Sequence, residues 1–596
     1  MKPAGWLKAP RMICAGLCVA AGAGLFAAGC GGGAGPDGEG EGPVLRLTTA
    51  RIRGFDPAHA GDQASIVATG RIYEGLLQYA WRDRPYRVEP LLADGMPEVS
   101  ADGRVWRFRI REGIRFSDDP CFTATGGKGR ELEARDFVYS IQRIADVKVG
   151  SGGYWAFRGR IEGLDDFRAA SQGEAPTDYD IEIEGLRATG PRELEIRLKE
   201  PYPQLAWVLA MPYAFAVPRE AVEFYGDRFV NHPVGTGPYV LASARQNHRY
   251  EYRVNPHWTG DGRRERLPGG DSAPGADRRL PRIPRIVDVV VGDPSTAWLM
   301  FLSGQLDRVD VSREQWDSII TPEQTLRPEL AACGIVLHAS PELAVTYTAF
   351  NMDDPVVGAN RKLRQALSCA FDSVQWMEFQ NGRIMPPTGP VPPGVSGHLD
   401  APPPYGFDLE RARGLLAEAG YPGGMDPSTG RRLTLTLELG SADNPETRQA
   451  AELMASFMER IGVVLRPSYN NWPAFLQKVS RRQAQMFSLT WLGDYPDAQN
   501  FLQLFASGNV SPGPNRANYV SESFDRLYAE LMELPESPRR EALCRAAAAV
   551  VLEDCPWILT AYPMAFTVCR ARLLEYTHHD FPWGMEKYWR LAGTRH

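Results

Sequence analysis

The sequence is poor in the side chains and motifs that enzymes use for catalysis. Nine histidines are spread over 596 residues, and the adjacent pair His578 and His579 would point in opposite directions on a strand. G-x-S-x-G, H-E-x-x-H and phosphate-loop motifs are absent. The nine cysteines include no C-x-x-C pair, which removes zinc-ribbon and thioredoxin-like sites. We therefore expect no catalytic residues, no metal site and no cofactor.

An excess of positive charge is also absent. The formal net charge is -7, charged residues make up 23% and hydrophobic residues 43% of the chain, and the mean hydropathy is -0.31. A mildly acidic protein of this kind does not favour nonspecific binding to nucleic acid. The composition is typical of a soluble globular protein, and the length predicts roughly two to four domains.

No apolar run near the N-terminus is long enough for a convincing membrane span. The uncharged stretch 12–29 is short and rich in glycine and alanine. Basic residues up to Arg11 precede it, which is the order of an export signal. Cys30 follows Ala27-Ala28-Gly29, and this ending resembles a lipoprotein signal. We expect residues 1–29 to be a signal peptide, Cys30 to carry lipid and residues 30–43 to form a flexible tether. Ala27 stands where that pattern prefers leucine, so ordinary secretion is the alternative.

Strand and helix patterns alternate along the rest of the chain, which favours an α/β fold. VLRLTTA (44–50) predicts a strand, and GRIYEGLLQY (70–79) predicts an amphipathic helix. VWRFRIREGIRFSDD (105–119) alternates between apolar and basic residues and predicts a hairpin with one wet face.

Several helices have clear start and stop signals. Asn360 and Asp408 precede apolar stripes as N-caps, Pro445 opens a third helix, and Gly420 and Gly462 follow helix ends. Two segments rich in glycine or proline predict surface loops, namely 121–131 and 261–285. Among the cysteines, Cys544 with Cys555 or Cys569 is the nearest candidate disulfide; buried free thiols are the alternative.

One stretch places two acids within an aromatic run, TWLGDYPDAQNFL (490–502). Asp494 and Asp497 are three residues apart, but polar turns carry such pairs constantly, so an acid–base pair is weakly supported. In one interpretation Asp494 contacts a ligand in a dry cleft. In the other it begins a turn before Pro496, and the aromatic residues pack in the core.

An ordered set of segments resembles a known family. The segments are FDPAHAGDQASIVATGRIYEGLLQY, PLLADGMPEVSADGRVWRFRIREGIRFSDD, ARDFVYSIQRIAD, NHPVGTGPYVL, NPHWTG, TAWLMFLSGQLD, AFNMDDPVVGANRKLRQALSCAFD and TWLGDYPDAQNFL. Together they resemble the family-5 extracellular solute-binding proteins of ABC importers, the oligopeptide- and dipeptide-binding group. The resemblance runs from about residue 44 to the C-terminus, and the insertion at 121–131 departs from the common pattern.

The resemblance implies an α/β fold of the periplasmic binding protein type II kind, with a bilobal cleft and an additional inserted lobe. Ligand would bind between the first and third of the three lobes, and a hinge would close them. The implied borders are 44–85, 205–338 and 563–596 for lobe I, 86–204 for the inserted lobe II, and 339–562 for lobe III.

The resemblance also implies ligand contacts. The resemblance matches Asp494 to the acid that binds the α-ammonium of a peptide in this family. A carboxylate is needed there because burying an ammonium group without one is costly. Gly493 would let the backbone approach the ligand. Other aromatic and backbone contacts are expected from matched positions, with ordinary packing as the alternative for each: Trp491, Tyr495, Asp62, Gln63, Ala64, Tyr154, Trp155 and Tyr347.

The function implied is capture of a peptide, or another small amine-bearing ligand, for an ABC permease and its ATPase. A lipid anchor would hold the protein to the membrane in the periplasm or at the cell surface, and no nucleic-acid partner is expected. Other cargoes are known on this scaffold, including metal chelates, haem and sugars, so the fold does not fix the ligand. A sensor or chaperone role, or a periplasmic hydrolase, is a further alternative.

Overall fold

The structure is a computed structural model that describes residues 42–260, 280–441 and 445–592. The predicted signal peptide, Cys30, nearly all of the tether and most of the loop 261–285 lie outside these ranges. Within them no helix combines the length and apolar character needed to cross a membrane. The same ranges contain no group of three or more His, Cys, Asp or Glu side chains that could hold a metal ion.

The strands of the described residues are, in chain order, β1 Val44–Thr49, β2 Leu77–Tyr79, β3 Val88–Pro90, β4 Glu98–Val99, β5 Val105–Arg109, β6 Leu186–Gly190, β7 Glu193–Arg197, β8 Tyr239–Arg245, β9 Arg249–Val254, β10 Arg285–Val290, β11 Arg308–Asp310, β12 Ile335–Pro341, β13 Ala344–Phe350, β14 Ile384–Met385, β15 Met425–Asp426, β16 Arg431–Arg432, β17 Thr434–Leu439, β18 Val464–Tyr469, β19 Met486–Leu492, β20 Trp557–Arg570, β21 Leu573–Leu574 and β22 Arg590–Leu591.

The α-helices of the same residues are α1 Gln63–Ile72, α2 Ala134–Ala145, α3 Leu164–Ala170, α4 Leu205–Val208, α5 Arg219–Tyr225, α6 Pro294–Leu302, α7 Trp316–Ile319, α8 Pro328–Ala332, α9 Arg361–Ala370, α10 Ser373–Phe379, α11 Leu409–Glu418, α12 Pro445–Glu459, α13 Trp472–Ser480, α14 Ala498–Leu502, α15 Glu522–Glu533 and α16 Pro538–Asp554.

Three of the six sheets in the described residues contain most of these strands. Sheet A has the order β1-β10-β9-β8, sheet B the order β4-β5-β7-β6, and sheet C the order β11-β20-β13-β19-β17-β18, with β12 and β14 also paired to β20. Strand β1 runs parallel to β10, and β17 runs parallel to both β18 and β19. Sheet B is antiparallel throughout. Mixed sheets with helices between their strands make this an α/β protein, as the sequence predicts.

Strand β20 joins two parts of sheet C, the part with β11 and β12 and the part that begins with β13. Its first half pairs with β13, where Trp557 lies opposite Ala349. Its second half pairs with β12, where Arg570 lies opposite Ile335, and with β11. Strands β12 and β13 are separated by two residues, so the chain crosses between the two parts of sheet C once there and once more within β20.

The helix starts predicted at Asn360 and Asp408 are confirmed. The side chains of Asn360 and Asp408 accept hydrogen bonds from the backbone N–H groups of Leu363 and Arg411, as N-caps do. Helix α12 begins at Pro445. Cys121, Cys369, Cys544, Cys555 and Cys569 are buried free thiols, so the candidate disulfide at Cys544 is wrong.

The helix predicted at 70–79 is wrong in position. Helix α1 instead starts after Asp62, whose carboxylate accepts from Ser65 N, and it ends at Ile72. Every residue from 71 to 80 is buried, so the apolar pattern there reflects burial on all sides rather than one helical face.

The hairpin predicted at 105–119 is also wrong. Trp106, Phe108 and Ile110 are buried as expected, but β5 pairs with β4 and β7. Ile114 and Phe116 are buried without forming a second strand beside it. The alternating pattern therefore predicted correctly that Trp106, Phe108 and Ile110 are buried. It did not predict which strands pair with β5.

Candidate functional site

Asp494 is the second residue after β19, which is an interior strand of sheet C. It therefore lies beyond the end of the strands and not beside an outer strand. The preceding Gly493 donates its N–H to Leu343 O at 2.8 Å, which ties this turn to the start of β13. A Cβ added at Gly493 would lie 2.6 Å from Leu343 Cδ2 and 2.9 Å from Phe501 Cζ. The absence of a side chain at Gly493 is thus needed for packing within the protein. Its contact with a ligand stays a prediction.

A buried asparagine holds the Asp494 turn in place. Asn500, in α14, accepts at Oδ1 from Asp494 N (3.0 Å) and from Trp491 Nε1 (3.1 Å), and its Nδ2 donates to Asp494 Oδ2 (3.0 Å). Trp491 is half-buried against the core. Asn500, which follows Asp494 by six residues in the chain, therefore stabilises the turn before Pro496.

The Asp494 carboxylate is in an unfavourable place for a charge. Burial raises its pKa, and the hydrogen bond from Asn500 opposes that rise in part. Within the described ranges no Lys, Arg or His side chain forms an ion pair with it, in contrast to Asp497. A half-buried acid without a cation is the arrangement expected where the positive charge arrives with a ligand.

Three tyrosines from outside sheet C lie within electrostatic reach of Asp494. Burial raises the pKa of Tyr79, Tyr202 and Tyr213, and the negative charge of Asp494 adds to each rise. Tyr79 belongs to β2, Tyr202 follows β7, and Tyr213 lies between α4 and α5. These three tyrosines come from segments outside sheet C, so side chains from other parts of the molecule lie within electrostatic range of Asp494.

The second acid of the run has a structural role. Asp497 caps α14 by accepting from Gln499 N, and its Oδ1 forms a 2.7 Å ion pair with Arg540 Nη2. Both side chains are buried, at 3% and 2% exposure. Tyr495 is buried as well, and its hydroxyl donates to Gln499 Oε1 at 2.6 Å. For Asp497 and Tyr495 the packing interpretation describes what the structure shows.

Tyr154 and Trp155 follow Gly153, whose backbone packs against Tyr213. The Tyr154 hydroxyl donates to Asp165, and the Arg168 guanidinium lies 4.1 Å from the centre of its ring, so this side chain is engaged within its own region. Trp155 is 44% exposed. A Cβ on Gly153 would lie 2.3 Å from Tyr213 Cδ1. The segment therefore packs on Tyr213, the tyrosine whose pKa is raised in part by the charge of Asp494. The Trp155 side chain is partly exposed to solvent.

The remaining predicted contacts fall in two places. Gln63 and Ala64 line a cavity of about 570 Å³ together with Glu342 and Tyr576, next to the capping residue Asp62. Tyr347 is buried, and its ring stacks on Trp557 with centroids 3.5 Å apart. The structure does not bring Tyr347 to Asp494, and ligand contact by these residues stays a prediction.

A larger cavity of about 900 Å³ begins two residues beyond Asp494. Its lining includes Pro496, Asp497 and part of the 533–540 segment, together with residues 85–88, part of the 96–106 segment and Trp207. Its volume is in the range of small-molecule sites. Space of ligand size thus lies between the segment that follows β19 and the elements around sheet B.

Sequence reasoning missed four residues of the site: Asn500, Tyr79, Tyr202 and Tyr213. The three tyrosines are distant from Asp494 along the chain, so no spacing links them to it. Asn500 is close in sequence and lies in the quoted run, but an asparagine in a short helix has no distinguishing pattern. Asn500 reaches Asp494 because the chain folds back after β19 and places α14 next to the end of that strand.

Comparison with protein families gives one match over most of the chain. The family model described as bacterial extracellular solute-binding proteins, family 5 Middle, matches residues 87–513. Among curated proteins, di/tripeptide-binding protein 2 of Pseudomonas aeruginosa is 26% identical over 556 residues, covering 89% of this chain and 91% of the relative. Heme-binding protein A of Haemophilus influenzae is 25% identical over 552 residues, covering 89% and 88%.

Solved structures with the same fold are also found. HbpA2 from Haemophilus parasuis superposes with a TM-score of 0.75 at 22% identity, covering 92% of this chain and 100% of that one. The unliganded open form of the murein tripeptide binding protein MppA gives a TM-score of 0.73 at 22% identity, covering 93% and 98%. These likenesses confirm the expected fold, an α/β architecture with a bilobal cleft and an inserted lobe.

Proposed function

Because the chain belongs to the bacterial extracellular solute-binding proteins of family 5, and is a solute-binding protein rather than an enzyme, we propose that it captures peptides for an ABC importer. Relatives named for di- and tripeptides, glutathione and oligopeptides support this cargo class. A permease and its ATPase would be the partners that receive the peptide, and the periplasm or cell surface would be the place of capture.

The observation that carries the proposal is the isolated carboxylate of Asp494. It follows the C-terminal end of β19, lies within electrostatic range of Tyr79, Tyr202 and Tyr213, and has no cationic partner among the described residues. The α-ammonium of a peptide supplies the missing positive charge. As the two halves close, water leaves, and a charge-assisted hydrogen bond between ammonium and carboxylate gains strength.

The lobe borders belong to the same proposal. We infer lobe I at 44–85, 205–338 and 563–596, lobe II at 86–204, and lobe III at 339–562. The crossing between β12 and β13 and the middle of β20 lie close to the borders at 338 and 562, which supports these positions as the hinge. Under this division Asp494 is in lobe III, and the three tyrosines belong to lobes I and II.

Attachment to the membrane completes the proposed role. A lipid on Cys30 would keep the binding protein near its permease, with residues 30–43 as a tether long enough to allow docking. A single acyl chain anchors weakly, so stable attachment requires more than one. The support here is the sequence pattern around Cys30.

Native mass spectrometry of freshly purified protein tests the cargo class directly. We expect bound masses that fragment as short peptides. Titration calorimetry with di-, tri- and tetra-alanine then measures affinity. A useful importer would bind near about 1 μM, or about -8 kcal/mol. Absence of peptide masses together with no heat from any of the three peptides would reject the proposal.

Haem is the second candidate, because heme-binding protein A is among the relatives. The two cargoes are easily separated. Bound haem gives an intense visible absorption band in the purified protein, whereas peptides are colourless. Haem binding that survives substitution of Asp494, with no peptide detected, would favour this alternative.

A further inference from the structure

Asn500 contacts Asp494 through every polar atom of its amide. The side chain is 1% exposed. Its Oδ1 accepts from two N–H donors, Asp494 N and Trp491 Nε1. Since neither of these donors is able to accept, the amide has one orientation, and Nδ2 must point at Asp494 Oδ2, 3.0 Å away.

We propose that Asn500 is a positioning residue: it fixes the Asp494 carboxylate so that Oδ2 is held by the protein and Oδ1 is left for the ammonium of a peptide. This inference rests on the proposed function of Asp494. Among the described residues Oδ1 has no hydrogen-bond partner, while Oδ2 has Asn500. The carboxylate is thereby pre-oriented before any ligand arrives.

Pre-orientation has a physical benefit at this position. A free aspartate side chain would lose rotamer freedom on binding, and a fixed one has already lost it on folding. The same hydrogen bond favours the ionised carboxylate, against the burial that disfavours it. Asn500 therefore acts on both the direction and the charge of Asp494, without touching the ligand.

The matched control is a second buried asparagine that supports a loop elsewhere. Asn515 is 0% exposed; its Nδ2 donates to Ala506 O and Tyr519 O, and its Oδ1 accepts from Tyr519 N. Asn515→Ala removes as many hydrogen bonds as Asn500→Ala but leaves Asp494 untouched. It reports what loss of a buried amide does to the fold alone.

The first test measures the pKa of Asp494 without any ligand. Protein labelled with ¹³C at aspartate carboxyls is titrated by NMR, with the Asp494 signal assigned by its loss in Asp494→Asn. Asn500→Ala, and Asn500→Ser with a side chain too short to reach Oδ2, should raise the midpoint by about one pH unit, the shift expected from losing one hydrogen bond to a charged group. Asn515→Ala should leave it unchanged.

The second test follows tri-alanine affinity against pH by calorimetry. Affinity falls as Asp494 is protonated, so a higher pKa moves the acid limb of the profile to higher pH. We expect that limb to move up by about one unit in Asn500→Ala, and affinity on the plateau above the limb to fall as well, because the freed carboxylate must be ordered on binding. Midpoints and profiles equal to wild type in both Asn500 variants would overturn the inference. Failure of wild type to bind tri-alanine would count against the proposed function instead, since the NMR midpoint still tests Asn500.

Discussion

Replacement of Asp494 by asparagine separates ligand binding from stability. The change keeps the size of the side chain and removes its charge. An ammonium buried without its carboxylate loses a hydrogen bond to a charged group, worth about 1.5–3 kcal/mol, and keeps part of its desolvation cost. We expect a total loss of about 3 kcal/mol, or about 100-fold in affinity at about 1.4 kcal/mol per ten-fold.

The stability of the same variant should not fall. Burial raises the pKa of Asp494 in the folded state, so its favourable contribution is present when the group is protonated at low pH and is lost as pH rises through the folded pKa. Above that pKa the ionised group therefore weakens the fold, and Asp494→Asn removes that effect. We expect a Tm equal to or above that of wild type.

Calorimetry with the alanine peptide that wild type binds best, and thermal melting followed by circular dichroism, check both expectations. Asp317→Asn serves as the control, since it removes one carboxylate charge at an exposed position of α7. Peptide affinity within two-fold of wild type, in an Asp494→Asn protein with an unchanged circular dichroism spectrum, would refute the role of this carboxylate.

Three further substitutions have defined outcomes. Asp497→Ala leaves Arg540 buried without its main partner, so urea unfolding should show a loss of about 3–5 kcal/mol; a loss below 1 kcal/mol would contradict this. Gly493→Ala forces a Cβ against Leu343 and should cost about 1–3 kcal/mol in the same assay, and unaltered stability would argue against the close packing. Cys30→Ser should move the protein from the membrane to the soluble fraction, unless the chain is secreted without lipid.

Local signals predicted much of the secondary structure. Asn360 and Asp408 mark true helix starts because a cap and its N–H partner are three residues apart, and the sequence displays both. The helix prediction at 70–79 failed because that segment has no such cap signal. It is buried on all sides, so its apolar spacing holds no information about helix or strand, and the true cap at Asp62 lies eight residues earlier.

The candidate site was predictable at one residue and hidden at its neighbours. Asp494 stood out because a carboxylate in an aromatic run needs a reason. Tyr79, Tyr202 and Tyr213 reach it from three distant segments, and folding alone brings them together. Tyr347, an aromatic residue near the predicted crossing, is buried with its ring stacked on Trp557, and its contact with a ligand stays a prediction.

The two-sided pairing of β20 has a consequence for biogenesis. Arg308 and Ile335 find their partners Cys569 and Arg570 in a strand made near the end of synthesis. Sheet C therefore stays open at its centre until almost the whole polypeptide is available, and such long-range pairings are slow to form. A chain truncated before residue 557 should expose unpaired strand edges and aggregate. The late strand thereby delays completion of sheet C until the end of synthesis.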